Sequence, residues 1–432
     1  MDVYRKHRSI KEEIPRLNCE TWGCCAQGGT PLVPTPVGCE VRLFFVVIAC
    51  LLCISISAAG QTALASVGQK LAADLTWMQA ERDHRFGHMN EVFPVHIVHR
   101  GTAVRSLLRG AELKLPAGAL DRYMVGEHVA GVLVIEDGRI RLERYALGAD
   151  AATRWTGFSM TKSVTDTLVG AALHAGKIHS LSDPVTRYLP ELRGSAYDGV
   201  TVRQVMTMTT GVRWHEDYTT ADADNVRLYQ QQPQPGENST VAYMRTLQRA
   251  AMPGSVWNYN TGETDLLGVL LRRATGESLA EQLSSAIWQH AGMEQDATWI
   301  ATAKDAEGEE FGGSGLSASL RDWGRLGLWF LDGGKGALDP DWMTEATRAQ
   351  VEAGKAAYGY GWWPQKNAAG AYDGSFAALG IFGQSMLIDP RRKLVIVTVG
   401  DWAQATGADH SAARVAFWRG VEAAVDGELA RR

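Results

Sequence analysis

Beyond residue 53 the chain has no cysteine: all six, Cys19, Cys24, Cys25, Cys39, Cys50 and Cys53, precede that point. Internal disulfides and cysteine–metal centres are therefore excluded from the body, and the N-terminal cysteines lack histidines at zinc-ligand spacing. Blocks of Lys or Arg are also absent and the net charge is −5, which argues against a nucleic-acid surface. Gly312-Gly313-Ser314-Gly315 is followed by Leu316, so no Gly-x-Ser-x-Gly elbow exists. Gly170 stands one residue too far ahead of Gly176-Lys177 for a phosphate loop, and Ile178 follows. His96 and His99 sit in a β-like run, where their spacing sends them to opposite faces and argues against a metal pair. No metal and no cofactor is expected.

Long hydrophobic stretches are scarce too. The main apolar run, Leu43–Ile54, suits the core of a signal peptide and is short for a membrane span. Small-residue patterns at Ser57-Ala58-Ala59 and Ala63-Leu64-Ala65 follow it, and Arg5, Lys6, Arg8, Lys11, Arg16 and Arg42 precede it. The chain therefore divides into a leader or tail over 1–42, a signal peptide or membrane anchor over 43–65, and one domain over 66–432. The leader is long for a signal peptide, which points to a true start downstream of Met1. The expected location is exported, periplasmic or membrane-anchored, with membrane attachment through 43–65.

What is present is ample core material: 45% hydrophobic residues and 14 Trp. A helix is expected near 72–85. Val129–Ile135, Asp137-Gly138 and Ile140–Tyr145 read as a β-hairpin. Ser385–Asp389 and Leu394–Val399, flanking Pro390-Arg391-Arg392-Lys393, read as a second hairpin, and a helix over 411–424 follows. Between the hairpins, apolar residues recur at helical spacing over 163–175, 202–209, 264–275, 279–291 and 320–331. The expected fold is α/β (α+β): an antiparallel sheet from both termini, flanked by helices, with an inserted helical region. The helix after the first hairpin would then leave its N-terminus at the junction, where clefts usually lie.

Ser159-Met160-Thr161-Lys162 opens that helix. At this spacing both polar side chains share a helix face, and a serine nucleophile needs a base beside it. Tyr259, in Trp257-Asn258-Tyr259-Asn260-Thr261-Gly262, can shuttle a proton if a lysine ammonium lowers its pKa. In Ala378-Leu379-Gly380-Ile381-Phe382-Gly383-Gln384, glycines let the backbone approach a substrate, so that an N–H there and the N–H of Ser159 form an oxyanion hole. Val202–Gly211 reads as a helix closed by a glycine cap.

Together these segments resemble the serine β-lactamase / penicillin-binding protein superfamily, most closely its 6-aminohexanoate-dimer hydrolase branch. The resemblance spans roughly Val129–Val399 and includes Leu181–Leu192, Val205–Gly211, Tyr259–Gly268 and Gly313–Ser319 beside the serine motif. It implies the β-lactamase/transpeptidase-like fold and a serine hydrolase that cleaves small amides or esters through an acyl-enzyme. Ser159 would be the nucleophile, Lys162 its base and Tyr259 the relay to the leaving group, with the N–H groups of Ser159 and Ile381 as the oxyanion hole. Whether lysine or tyrosinate takes the first proton stays open. Two departures bear on substrate. Thr261 replaces the usual carboxamide, and Leu379 stands in the third motif before Gly380 where a cation is usual. The missing cation weighs against β-lactamase or D-Ala-D-Ala peptidase activity. Trp214-His215-Glu216-Asp217-Tyr218, with Asp222 and Asp224, reads as a cleft wall attracting a cationic amine, or else as a solvated acidic loop. Tyr218, Asp217 and Trp214 are the candidate substrate contacts there, beside Thr261 and Gly380; Trp155 and Trp257 are candidate apolar walls. The competing class is a catalytically idle binding or sensing domain of the same fold.

Overall fold

The computed structural model describes residues 67–231, 234, 236–354 and 356–431; the leader and the 43–65 segment lie outside the described residues. Alternation along Val129–Glu136 sends Leu133 and Ile135 to one face of a sheet and Val132 and Val134 to the other. Both faces are covered, so the whole strand is buried. The seven strands run in the order Trp363–Lys366, Tyr372–Leu379, Ser385–Asp389, Leu394–Gly400, Val129–Glu136, Arg139–Tyr145, Leu108–Arg109. Leu394–Gly400 pairs antiparallel with Val129–Glu136, which joins the two hairpins into one sheet as expected. Only the edge strand Leu108–Arg109 pairs in parallel.

The helix Leu320–Leu331 lies on the first face and Ala408–Leu429 on the second. Glycine permits the close approach on the first face: a Cβ at Gly324 would meet Leu133 Cδ2 at 2.6 Å, and one at Gly327 would meet Val395 Cγ1 at 2.5 Å. Among the described residues no helix is long and apolar enough to cross a membrane.

Several local expectations are corrected. The nucleophile helix, Met160–His174, does not emerge from the first hairpin. It follows Arg154–Thr156, a strand of a second, four-stranded antiparallel sheet in the order Val95–Val98, Ala297–Ile300, Leu316–Ser319, Arg154–Thr156. The helix expected near 72–85 is broken into 67–73, a 3₁₀ turn at Asp74–Thr76, and Gln79–Arg85. Arg82 takes the Trp77 carbonyl and Glu81 takes the Met78 N–H at the break. The helix from Leu279 gives way at Leu283 to a π-helical turn over Ser284–Trp288. Gly211 caps no helix: Val202–Met206 ends first, Met208 already has φ 54°, and Gly211 turns where a Cβ would meet the Ala251 carbonyl oxygen at 2.2 Å.

Candidate active site

The second sheet positions the serine. Gly157 donates its N–H to Leu316 at 2.8 Å, and a Cβ on Gly157 would meet Trp323 Cζ2 at 2.7 Å. Phe158 then takes φ 43°, a conformation that costs a non-glycine residue about 1–2 kcal/mol. Its ring packs edge-on against Phe86 at 4.9 Å and lies 5.7 Å from Phe382, itself at φ 57°. Packing of these buried rings holds both turns in their strained shape. Ser159 emerges from the first turn as the N-cap of Met160–His174.

One helical turn on, Lys162 Nζ lies 2.9 Å from Ser159 Oγ and donates to the Gly313 carbonyl at 2.8 Å. Lys162 is buried, and burial pushes its pKa below the usual lysine range, although Glu216, Asp265 and Asp166 pull it back up. Asp265 accepts the Gly313 N–H at 2.7 Å and the Tyr229 hydroxyl at 3.1 Å, so it fixes the peptide that receives the lysine.

Tyr259 reaches the same point from another loop. Asn258 N–H donates to the Met208 carbonyl at 3.0 Å, which docks that loop on the turn after Val202–Met206. Asn260 caps the next helix, Thr261–Thr275, through the Glu263 N–H. The Tyr259 ring centre is 5.2 Å from Lys162 Nζ, which brings the phenol to the serine–lysine pair. Here the electrostatic expectation is reversed. Tyr259 is not acidified: burial and the nearby Glu216 raise its pKa, and Ser159 offsets only part of this. Burial thus favours the neutral form of both the phenol and the amine.

The cleft above Ser159 is lined also by Tyr218, Thr261 and Ile381. The N–H groups of Ser159 and Ile381 donate no hydrogen bond among the described residues, so both are available to an incoming oxygen. Gly380 plays a different part from the one expected. It does not line the cleft; it makes room for the Gly157 carbonyl, which a Cβ would meet at 2.4 Å. Trp155 is core, with its indole N–H on the Gly400 carbonyl. Trp257 packs 6.4 Å from Tyr259 and 6.1 Å from Trp363.

The acidic segment sorts unexpectedly. Asp217 turns its carboxylate onto the N–H and hydroxyl of Thr219 at 2.6 and 2.7 Å and takes no part in the cleft. Asp224 holds the His215 N–H and the Tyr243 hydroxyl. Glu216 is the acid of this segment that turns to the site. It accepts hydrogen bonds from the Trp214 indole, the Tyr218 hydroxyl, and both the N–H and hydroxyl of Thr261, at 2.5–2.8 Å. Trp214 is thus a buried support for Glu216 and does not line the cleft. Sequence reading passed over Glu216 because neighbouring acids in a loop carry no periodicity that tells which one turns inward.

Asp166 was missed as well, though it stands one helical turn beyond Lys162. It is buried, its Oδ1 has no partner, and burial holds its pKa well above the carboxylate range. His96 and His99 do diverge: His96 binds Glu310 at 2.7 Å, while His99 approaches Asp296. Among the described residues one trio, Asp83, His128 and Asp401, has metal-ligand proximity. Arg82 already holds Asp401 there at 2.5 Å.

Comparison with known proteins follows this geometry. The Beta-lactamase family model matches residues 118–417. The chain is similar to the 6-aminohexanoate-dimer hydrolase of Paenarthrobacter ureafaciens, 28% identical over 352 residues that cover 76% of this chain and 87% of that one. It is similar over a shorter stretch to esterase EstB of Burkholderia gladioli, 30% identical over 35% of this chain and 39% of that one. Among solved structures, one from Bacillus anthracis assigned as a 6-aminohexanoate-dimer hydrolase superposes with a TM-score of 0.68. It has 23% identity and covers 80% of this chain and 94% of that one, a likeness of fold.

Proposed function

Because the chain belongs to the beta-lactamase family, and so is a serine hydrolase, we propose that it cleaves small amides or esters through an acyl-enzyme on Ser159. The observation that carries this reading is the 2.9 Å approach of the buried Lys162 amine to the Ser159 hydroxyl. Lys162 takes the serine proton as Oγ attacks the carbonyl carbon. The N–H groups of Ser159 and Ile381 hold the oxyanion. As the carbon–nitrogen or carbon–oxygen bond breaks, Tyr259 delivers a proton to the leaving group and recovers one from Lys162. Water then attacks the ester carbonyl, and the acid departs as Ser159 regains its proton.

No charged residue lines the cleft among the described residues, which supports the ranking of simple amides and esters above β-lactams, whose carboxylate seeks a cation. Fluorophosphonate labelling tests the mechanism: labelling should vanish in Ser159→Ala, and failure of the folded wild type to label would sink it. A panel of p-nitrophenyl esters, nitrocefin and linear 6-aminohexanoate dimer tests the substrate class; turnover of nitrocefin far above the others would reverse the ranking. Export also belongs to this proposal, on the strength of the apolar run at 43–54. Sequencing the N-terminus of exported protein tests it, and protein held entirely inside the cell would refute it.

A further inference from the structure

The wall of the cleft includes a segment far from the catalytic motifs in sequence. Leu71, Ala72 and Leu75 line the space over Ser159, together with Met89, Val226 and Ile300. This segment is anchored at both ends. At its start, Gly68 lies so close to the Tyr229 backbone that a Cβ would sit 1.9 Å from that carbonyl oxygen. Further along, Arg82 holds Asp401 and the Trp402 carbonyl while its guanidinium lies 4.7 Å from the centre of the Phe382 ring, next to Ile381. The arm therefore closes one side of the cleft as a fixed wall.

Among the described residues lining this space none is charged; six bring a hydroxyl and one, Asn225, a carboxamide, and the rest are apolar or glycine. Two carboxylates stand behind the lining with their oxygens turned onto neighbouring donors: Glu216 onto Tyr218 and Thr261, and Asp265 onto Tyr229 and Gly313. Tyr259 lies outside this lining and sits among Trp257, Tyr358 and Trp363. If Tyr259 serves the leaving group, the arm-walled side receives the acyl group.

We propose that the arm formed by Leu71, Ala72 and Leu75 is the specificity wall of an acyl pocket that selects uncharged, apolar acyl chains and rejects those ending in an ammonium or carboxylate. The inference rests on the acyl-enzyme reading above. Each methylene buried against such a wall raises kcat/KM by about fourfold until the pocket is full. A charged terminus instead loses water without gaining a partner.

The test compares p-nitrophenyl acetate, butyrate, hexanoate and 6-aminohexanoate on the full chain, with p-nitrophenol burst and fluorophosphonate labelling counting active sites. Expected is a rise from acetate to hexanoate and a hexanoate-to-6-aminohexanoate ratio of about 100 or more. Leu71→Ala should lower the hexanoate-to-acetate ratio about tenfold. Leu75→Trp, at a half-exposed position and so safe for folding, should lower the same ratio by filling the pocket. Labelled enzyme with a flat chain-length profile, equal turnover of the cationic ester, or ratios unmoved in both variants would overturn the wall and leave the mechanism standing. No burst and no labelling would overturn both.

Discussion

Two helices pack against the sheets yet differ in what they bury. Ala408–Leu429 covers one face of the large sheet with six buried residues, the apolar Phe417, Trp418, Val421 and Val425 together with Arg414 and Glu422, and leaves much of its length to solvent. Met160–His174 is buried along most of its length, and its buried set includes Lys162, Ser163, Thr165, Asp166 and Thr167. Thr165 and Ser163 spend their hydroxyls on the carbonyls of Gly312 and Gly361. Asp166 Oδ1 has no partner. A helix meant only for stability would place apolar residues there, since an unpaired buried polar group costs about 1–3 kcal/mol. Ala408–Leu429 accepts such a cost too, at Arg414 Nε, which finds no partner among the described residues; Met160–His174 gathers several buried polar groups and sets them beside the reacting serine.

The sharpest way to break the comparison is Lys162→Met, which keeps the volume and removes the base. kcat/KM should fall about 10³-fold or more, with little loss of stability because a desolvated amine is replaced by an apolar chain. A large drop in stability with modest loss of rate would mean that Lys162 is structural. The opposite result is expected on the covering helix. Phe417 stacks on Tyr123 at 4.2 Å, so Phe417→Ala should cost ~3 kcal/mol in chemical unfolding while kcat per labelled site holds.

Glu216→Gln should move something subtler. The Glu216 charge raises the pKa of Lys162, and the reaction needs neutral lysine, so the acid limb of kcat/KM should shift to lower pH when that charge is removed. A limb that stays in place or moves upward would remove Glu216 from the electrostatics of the site.

Much of this contrast was legible in the chain. The large sheet declared itself because each hairpin is local and its strands, Val129–Ile135 and Leu394–Val399, are short apolar runs rich in β-branched residues. Leu320–Leu331 was readable to the residue because its apolar recurrence is unbroken and Ser319 caps it. The small sheet was not legible: its strands are three or four residues long, and Val95–Val98 pairs with a strand some two hundred positions away. At the site, the spacing of Ser159 and Lys162 was enough to suggest their meeting, and the resemblance suggested the part of Tyr259. The arm wall was hidden because Leu71 and Leu75 look like any apolar pair one helical turn apart.

The last contrast lies within the helix Thr261–Thr275, where Glu263 is buried with Thr210 and Tyr197 hydroxyls on one oxygen and nothing on the other. Burial raises its pKa to about 8, against the 4.5 of an exposed glutamate. Between those values the folded chain keeps a proton that the unfolded chain releases, so this group's contribution to stability is intact below about 4.5 and is lost as pH rises through 8. Asp265 and Asp401, both raised to about 6, act in the same sense over a lower range, as does His96, which Glu310 holds above its usual value. Glu263→Gln retains a polar side chain and cannot titrate. Its unfolding free energy should therefore fall less steeply than wild type between pH 6 and pH 8, a change in slope more than in level. Parallel slopes in chemical denaturation across that range would show that Glu263 is ionised in the folded chain.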